Sequence, residues 1–476
     1  MGLHCQIWLT YSKSNGRLCG AVFCSFVSMN RYFLWKVTLH ILLYGITISF
    51  VFLFLTQQKV ATHDFSWFRL LALLLFLPVL FKYLVQLFVA PWFELCRWRK
   101  GKTLRLYQKY APKVSVLIPA WNEEVGILHT VLSVLKSTYR NMEIVVINDG
   151  STDGTHRKMT EFLQKYRSLP KEGQLPIIYK HKENGGKASA FNCGLKRVSG
   201  DIIITIDSDS AVDSRAIENM VKPFRDEAVM SVAGNVKIGN RSKVIGLVQQ
   251  LEYLYGFYFK KADSLMNSVY IVGGAAAAYR RTVFAKLGVF DEEIITEDIE
   301  MSTRIQDAGM KIEYAPDAVV YTEGPADFQG LARQRLRWKY GRLLTFSKYR
   351  QLFFSLRRKH SPLLTWFILP FAAFSESVLF FEPALILIFY SYMFATHDFF
   401  PLIAGAVVIS LVVFLQVLTD TKRRENLNLL LLAPVAWCLF YFVDFVEYQA
   451  LLRSIWKLIK KQQVVWQKWT REGVFE

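Results

Sequence analysis

Long apolar runs near both ends of the chain, each at least about the length of a membrane crossing, constrain this sequence more than any other feature. Phe33–Leu55 and Trp67–Ala90 lie before a central stretch of soluble texture, and Leu363–Ala395, Pro401–Leu418 and Leu427–Leu452 lie after it. A hydrocarbon core of about 30 Å needs about 20 helical residues, so each run is a candidate span. Composition agrees: 52% of the 476 residues are hydrophobic and 15% aromatic, against 20% charged. A disordered chain is poorer in aromatics, and a purely soluble domain has no use for so much apolar material. The sequence reads as a membrane protein.

Lys and Arg number 58 against 39 Asp and Glu, a net charge of +19. The basic residues gather beside the spans, as at Arg97, Arg99, Lys100, Lys102 and Arg105, and again at Arg357, Arg358 and Lys359. That placement follows the positive-inside rule, and no nucleic-acid reader motif accompanies it, so nucleic acid is not an expected partner. The expected organisation is an N-terminal cytosolic extension (1–32), two transmembrane helices (33–90) and a cytosolic catalytic domain (91–325). Interfacial amphipathic helices (326–362), a C-terminal transmembrane region of three or four helices (363–452) and a basic tail (453–476) follow. Leu363–Ala395 contains Pro370, Glu376, Glu382 and Pro383, and reads as an interfacial helix followed by one crossing. Five crossings put the basic tail outside; six bring it inside but export Lys422, Arg423 and Arg424. The first 28 residues lack a secretory apolar core, and the six cysteines show no CxxC spacing that would mark a zinc site.

Between Pro112 and Pro325 the texture is α/β. Val114–Ile118, Ile144–Asn148 and Ile202–Ile206 are short, β-branched apolar runs of the kind buried parallel strands show. Ile127, Val131 and Val134 recur at helical spacing between the first two. Strand, helix, strand with Gly- and Asp-rich connections predicts a doubly wound, Rossmann-like sheet whose ligands sit beyond the carboxyl ends of the strands.

The chemistry-bearing residues follow those strand ends. Asn148-Asp149-Gly150-Ser151 makes a good turn, and its carboxylate could equally accept from a nucleobase N–H. Asp207-Ser208-Asp209 sets two carboxylates one residue apart, a costly arrangement without a cation; oxygen ligands beside a diphosphate suit Mg2+ or Mn2+. Asn184-Gly185-Gly186-Lys187 offers a backbone for close approach to a diphosphate and a lysine as point charge. Thr296-Glu297-Asp298 opens a helical pattern: it is either an N-cap or the source of a general base, Asp298. Gln334-Arg335-Leu336-Arg337-Trp338 is adequate as a basic interfacial helix, but it also suits a diphosphate and a flat sugar ring together.

In this order and spacing the D, DxD, TED and QxxRW elements closely resemble those of the membrane-integrated processive members of glycosyltransferase family 2, the group of cellulose, hyaluronan, chitin-oligosaccharide and poly-N-acetylglucosamine synthases. The resemblance implies a GT-A catalytic domain inserted between transmembrane helices. It implies Pro119, Glu123, Asp149, Lys187, Asp207, Gln334 and Arg337 as nucleotide-sugar-binding residues and Asp209 as metal ligand. Asp298, with Asp207, would be catalytic, and Trp338, Glu297 and Gly274 would meet the acceptor. Gly273-Gly274-Ala275-Ala276 and Tyr279-Arg280-Arg281 are similar to the acceptor-side segment of poly-N-acetylglucosamine synthases. No cyclic-dinucleotide-binding barrel pattern follows the last span, and Phe414–Lys422 has only a loose likeness to a cellulose-synthase gating loop, which favours a hexosamine polymer. The implied activity is inverting transfer from a UDP-sugar to a growing polysaccharide in the cell (inner) membrane, among its lipids, with room for an accessory export subunit. A lipid acceptor receiving one or a few sugars is the second reading, and a non-catalytic export scaffold the third. Glu376, Glu382, Asp444 and Glu447 would line a polar sugar path, since charges inside a bilayer are expensive.

Overall fold

The computed structural model describes residues 35, 38–46, 48–49, 52, 66–104, 110–170 and 172–464. The first predicted span, Phe33–Leu55, falls partly outside them. Helices α1 (Ser66–Val89) and α2 (Trp92–Leu104) lead into the α/β domain.

The domain is built on eight strands: β1 (Val114–Ala120), β2 (Met142–Asp149), β3 (Ile177–Lys182), β4 (Ile202–Thr205), β5 (Ser210–Val212), β6 (Val229–Ile238), β7 (Ala277–Arg280) and β8 (Lys311–Thr322). Their order is β3-β2-β1-β4-β7-β6-β8-β5. The first four run parallel, β7 lies antiparallel between β4 and β6, and β8 is parallel to β6. The three predicted strands are β1, β2 and β4, and they sit side by side with both faces covered. Val116, Ile118, Ile144, Val146, Ile202 and Ile204 enter one core while Leu117, Val145, Ile147 and Ile203 enter the other, the two-residue alternation of a strand. This explains why the runs are continuously apolar.

Helix α3 (Ile127–Leu135) carries the chain from β1 to β2, burying Ile127, Val131 and Val134 as their spacing predicts. Helix α4 (Thr155–Arg167) leads towards β3, and α5 (Lys187–Leu195) then returns it to β4, on the other side of β1. The reversal of order between β2 and β4 opens a crevice at the carboxyl end of β1, where doubly wound sheets bind ligands. Helix α6 (Ala216–Val221) precedes β6.

The second half of the sheet was not legible as strands, and neither was α7 (Val244–Leu265), which joins domain to membrane helices. Its Tyr258, Phe259 and Ala262 pack with Leu87, Leu364 and Ile368, and its Leu251 and Leu254 with Val413 and Val417. After α8 (Arg281–Leu287), α9 (Glu297–Asp307) and α10 (Phe328–Lys348), the chain enters α11 (Leu369–Thr396), α12 (Phe400–Thr419), the short α13 (Asn428–Leu432) and α14 (Ala436–Ile459). Leu364–Thr396 is one helix opened by a π turn, so the expected break between an interfacial helix and a crossing is absent; Pro370 comes just after the π turn Leu364–Ile368. Among the described residues four helices are long and apolar enough to cross a membrane, 78–97, 364–396, 400–419 and 423–459, the complement of a multi-pass membrane protein.

Candidate active site

The floor of the site begins where β2 ends. Gly150 has φ +69° and a Cβ there would meet the Asn184 backbone nitrogen at 2.5 Å, so the turn after Asp149 needs glycine twice over. Ser151 N–H donates to the Asn148 side chain at 2.9 Å and closes the turn. The buried Asp149 carboxylate receives Lys182 Nζ at 2.5 Å and the N–H groups of Gly185 and Gly186 at 3.1 and 2.8 Å. Of the two roles open to Asp149, turn residue and nucleobase acceptor, the structure shows it lining the site and holding the glycine loop, which fixes where α5 begins. Lys182 carries no motif, and nothing in the sequence singles it out.

The first residue of α5, Lys187, reaches the Asp207 carboxylate at 2.7 Å and Glu297 at 3.1 Å. Gly274 lies over the same point: a Cβ on it would stand 2.8 Å from Lys187 Nζ, 3.6 Å from Asp298 Oδ2 and 3.7 Å from Glu297 Oε1. Four segments distant in sequence thus meet within a few ångströms. Burial alone would lower the Lys187 pKa, but Asp207, Glu297 and Asp298 outweigh it and hold the ammonium above the ordinary lysine range. Asp207 and Glu297 are pushed up by burial, opposed by Lys187.

The β1–α3 loop closes the other side. A Cβ on Gly126 would meet Ser208 O at 3.0 Å and Glu123 Oε2 at 3.7 Å, and Thr130 Oγ1 donates to Ser208 O at 2.8 Å. Asp209 accepts from Ser210 Oγ at 3.1 Å and Thr322 Oγ1 at 3.2 Å.

Helices α9 and α10 touch at a glycine. Thr296 makes no N-cap hydrogen bond, and instead packs where a Cβ on Gly341 would stand, 2.1 Å from its Oγ1. This close approach sets the helix that carries Gln334–Trp338 against the one that carries Asp298, and both line one cavity. Gln334 is 6% exposed and its Oε1 has no hydrogen-bond partner among the described residues. Arg335, 1% exposed, lies 4.3 Å over the Trp338 ring and pairs with Glu252 at 2.5 Å and Glu447 at 3.3 Å. Lys339 bridges Glu376 at 2.7 Å and Glu447 at 2.9 Å, and Arg342 reaches Glu376 at 2.9 Å.

All of these surround one cavity of about 1760 Å³. Pro119, Glu123, Asp149, Lys187, Asp207, Asp209, Gly274, Glu297, Asp298, Gln334, Arg337 and Trp338, the residues to which a site role was assigned, line it. So do Glu376, Glu382, Asp444 and Glu447 from the membrane helices. Tyr279–Arg281 does not: Tyr279 is packed in the core, and Arg280 donates to Val229 O at 2.7 Å. Among the described residues no cluster of three or more ligand-type side chains is assembled for a metal. A pair of carboxylates fits a hard cation that completes its shell with phosphate oxygens and water, and does not fit an all-protein cage.

An open α/β sheet with carboxylates at its switch point, flanked by helices able to cross a membrane, defines a GT-A-like domain set between long apolar helices. Residues 112–341 of the chain match the family model described as "Glycosyltransferase like family 2". The poly-β-1,6-N-acetyl-D-glucosamine synthase of Staphylococcus aureus (strain COL) is 33% identical over 253 residues, 52% of this chain and 59% of that protein. The synthase of the same name from Staphylococcus epidermidis is 31% identical over 231 residues, 48% of this chain and 54% of that protein. The match thus spans under two thirds of these relatives. Among solved structures, a mannosyltransferase from Pyrobaculum calidifontis, in complex with GDP-Man and Mn2+, aligns with a TM-score of 0.52 and 20% identity over 81% of this chain and 98% of that one. This likeness shows the fold.

Proposed function

We propose that this protein is a processive, inverting transferase that builds a β-linked, N-acetylglucosamine-containing polysaccharide from a UDP-sugar at the cell membrane, with its catalytic domain on the cytosolic side. The observation that carries the reading is the meeting of Asp298, Glu297 and Lys187 around Gly274, in a cavity lined by both Asp207–Asp209 and the membrane helices. The names of the staphylococcal relatives support the sugar and the polymer.

In this reading Asp298 takes the proton of the acceptor hydroxyl as its oxygen attacks the anomeric carbon. Attack on the face opposite the departing UDP turns an α-linked donor into a β-linked product. Lys187 is placed as a fixed positive charge beside the diphosphate, so the charge that develops on the leaving group meets a group already oriented for it. Asp209 with Asp207 would hold Mg2+ or Mn2+, which would neutralise the leaving diphosphate. Gln334 and Arg337 close over the donor, and Trp338 offers a flat face to the acceptor sugar.

Incubating purified protein with labelled UDP-N-acetylglucosamine tests this. Polymer should form, stop in EDTA and resume with Mg2+ or Mn2+; undiminished synthesis in chelator would remove the metal from the scheme. A lipid acceptor is the second reading, favoured by the aliphatic wall that Val408, Ile409 and Val412 give the cavity. Product length separates the two.

A further inference from the structure

Among the lysines that line this cavity, Lys187 and Lys260 both face Asp298, and their surroundings differ. Lys187 is saturated by Asp207 and Glu297. Lys260, on α7, lines the same cavity but makes no hydrogen bond or ion pair among the described residues; its ammonium lies 4.3 Å from the centre of the Phe257 ring. The charges that reach it are Asp263 on its own helix and Asp298 on α9. Asp263 is already engaged with α1, where Gln86 donates to it at 2.6 Å and Lys82 faces it. Burial brings the Lys260 ammonium down to about 8, with Asp263 and Asp298 only partly opposing. An ammonium withdrawn from water without a counter-ion is costly, and such a group in a cavity marks a place where a ligand supplies the missing acceptors.

We propose that Lys260 is an acceptor-binding residue: its ammonium donates hydrogen bonds to oxygens of the acceptor's terminal sugar and holds that sugar's attacking hydroxyl against Asp298. The proposal rests on the reading of Asp298 as the base. Lys187 is already paired with Asp207, whereas Lys260 lies on the helix whose Tyr258, Phe259 and Ala262 pack with Leu87 of α1. During transfer the acceptor oxygen bonds to the anomeric carbon. The bond from that carbon to the diphosphate oxygen breaks, its electron pair leaving with UDP, and the hydroxyl proton passes to the Asp298 carboxylate. Lys260 keeps its protons throughout. Its value to the reaction lies in where it holds the oxygen.

The test uses the full chain in lipid nanodiscs, with UDP-N-acetylglucosamine and a soluble β-linked N-acetylglucosamine oligosaccharide, between pH 6 and 10. Since the folded pKa lies below the ordinary lysine value, the ammonium is present below about pH 8 and is lost above it. Wild-type acceptor KM should therefore rise through that range while donor KM stays level. Lys260→Met should raise acceptor KM about 10–100-fold at neutral pH, the worth of one hydrogen bond to a charged group, and abolish the alkaline limb. Lys260→Arg should keep the low KM and carry the limb to higher pH. A second readout needs no turnover: acetylation of Lys260 at pH 8, mapped by mass spectrometry, should be slowed by the oligosaccharide and not by UDP. Protection without turnover would overturn the choice of donor and support Lys260. An unchanged acceptor KM in Lys260→Met, a limb that survives in Lys260→Arg, or the absence of protection would each overturn the proposal.

Discussion

On the floor of the cavity Asp149 is held by two backbone N–H groups and Lys182, whereas at its helical wall Lys339 and Arg342, with the buried Arg335, reach from α10 to Glu252, Glu376 and Glu447 on three other helices. The floor is made of turns in which each element lies a few residues from its strand. The wall is made of buried ion pairs between helices far apart in the chain. Such pairs add little net stability over apolar packing, because desolvation consumes most of the Coulombic gain, yet losing one partner is expensive. The floor therefore fixes the positions of atoms, while the wall fixes which helices meet. Asp298 stands where the two join.

The largest effect should come at that junction. Asp298→Asn should lower sugar transfer about 10²–10⁴-fold, the usual worth of a general base, while UDP binding measured by calorimetry persists. Near-normal turnover would reassign the base. Lys339→Met attacks the wall by stranding Glu376 and Glu447 with one cation fewer. A loss of about 3–5 kcal/mol is expected in unfolding experiments, since uncompensated buried charge is the penalty, and Lys339→Arg should restore most of it. An unchanged melting temperature in the Met variant would mean that the wall is solvated. Gly150→Ala attacks the floor. The left-handed backbone and the collision with Asn184 should cost about 1–3 kcal/mol and weaken UDP binding as the glycine loop shifts. The smallest effect is Trp338→Ala. Loss of one stacking face, worth about 0.5–1.5 kcal/mol, should raise acceptor KM several-fold and shorten the product without changing UDP affinity. Full-length polymer from that variant would show the indole to be a membrane-interface anchor.

The same division explains what could be read in advance. Val114–Ile118 and Ile202–Ile206 announce buried strands because both faces of the sheet are covered, and Asp149 and Asp207 follow because ligands of such sheets gather at strand ends. Lys182 was not legible. It lies in a half-buried edge strand with no periodic signal, and its partner is set by the register that aligns it with Asp149. Gly341 looks like any helical glycine until Thr296 is found against it. Tyr279–Arg281 misled in the opposite direction, since antiparallel insertion of β7 between β4 and β6 turns Arg280 towards backbone carbonyls and away from the cavity.

By itself the sequence determined the membrane character, the α/β domain between apolar runs, and the residue types at the strand ends, because hydrophobic period, turn chemistry and strand-end placement act over a few neighbouring residues. Only the tertiary structure decided that Asp149 would hold the glycine loop, that Lys187 would be saturated while Lys260 was left without a counter-ion, and that α10 would bind three helices through Arg335, Lys339 and Arg342. Those outcomes depend on which groups meet across the fold, from Lys187 against Asp207 to Arg335 against Glu447, pairs 20 and 112 residues apart in the chain. Coulomb interaction and desolvation are settled by that distance and burial, and no local pattern encodes either.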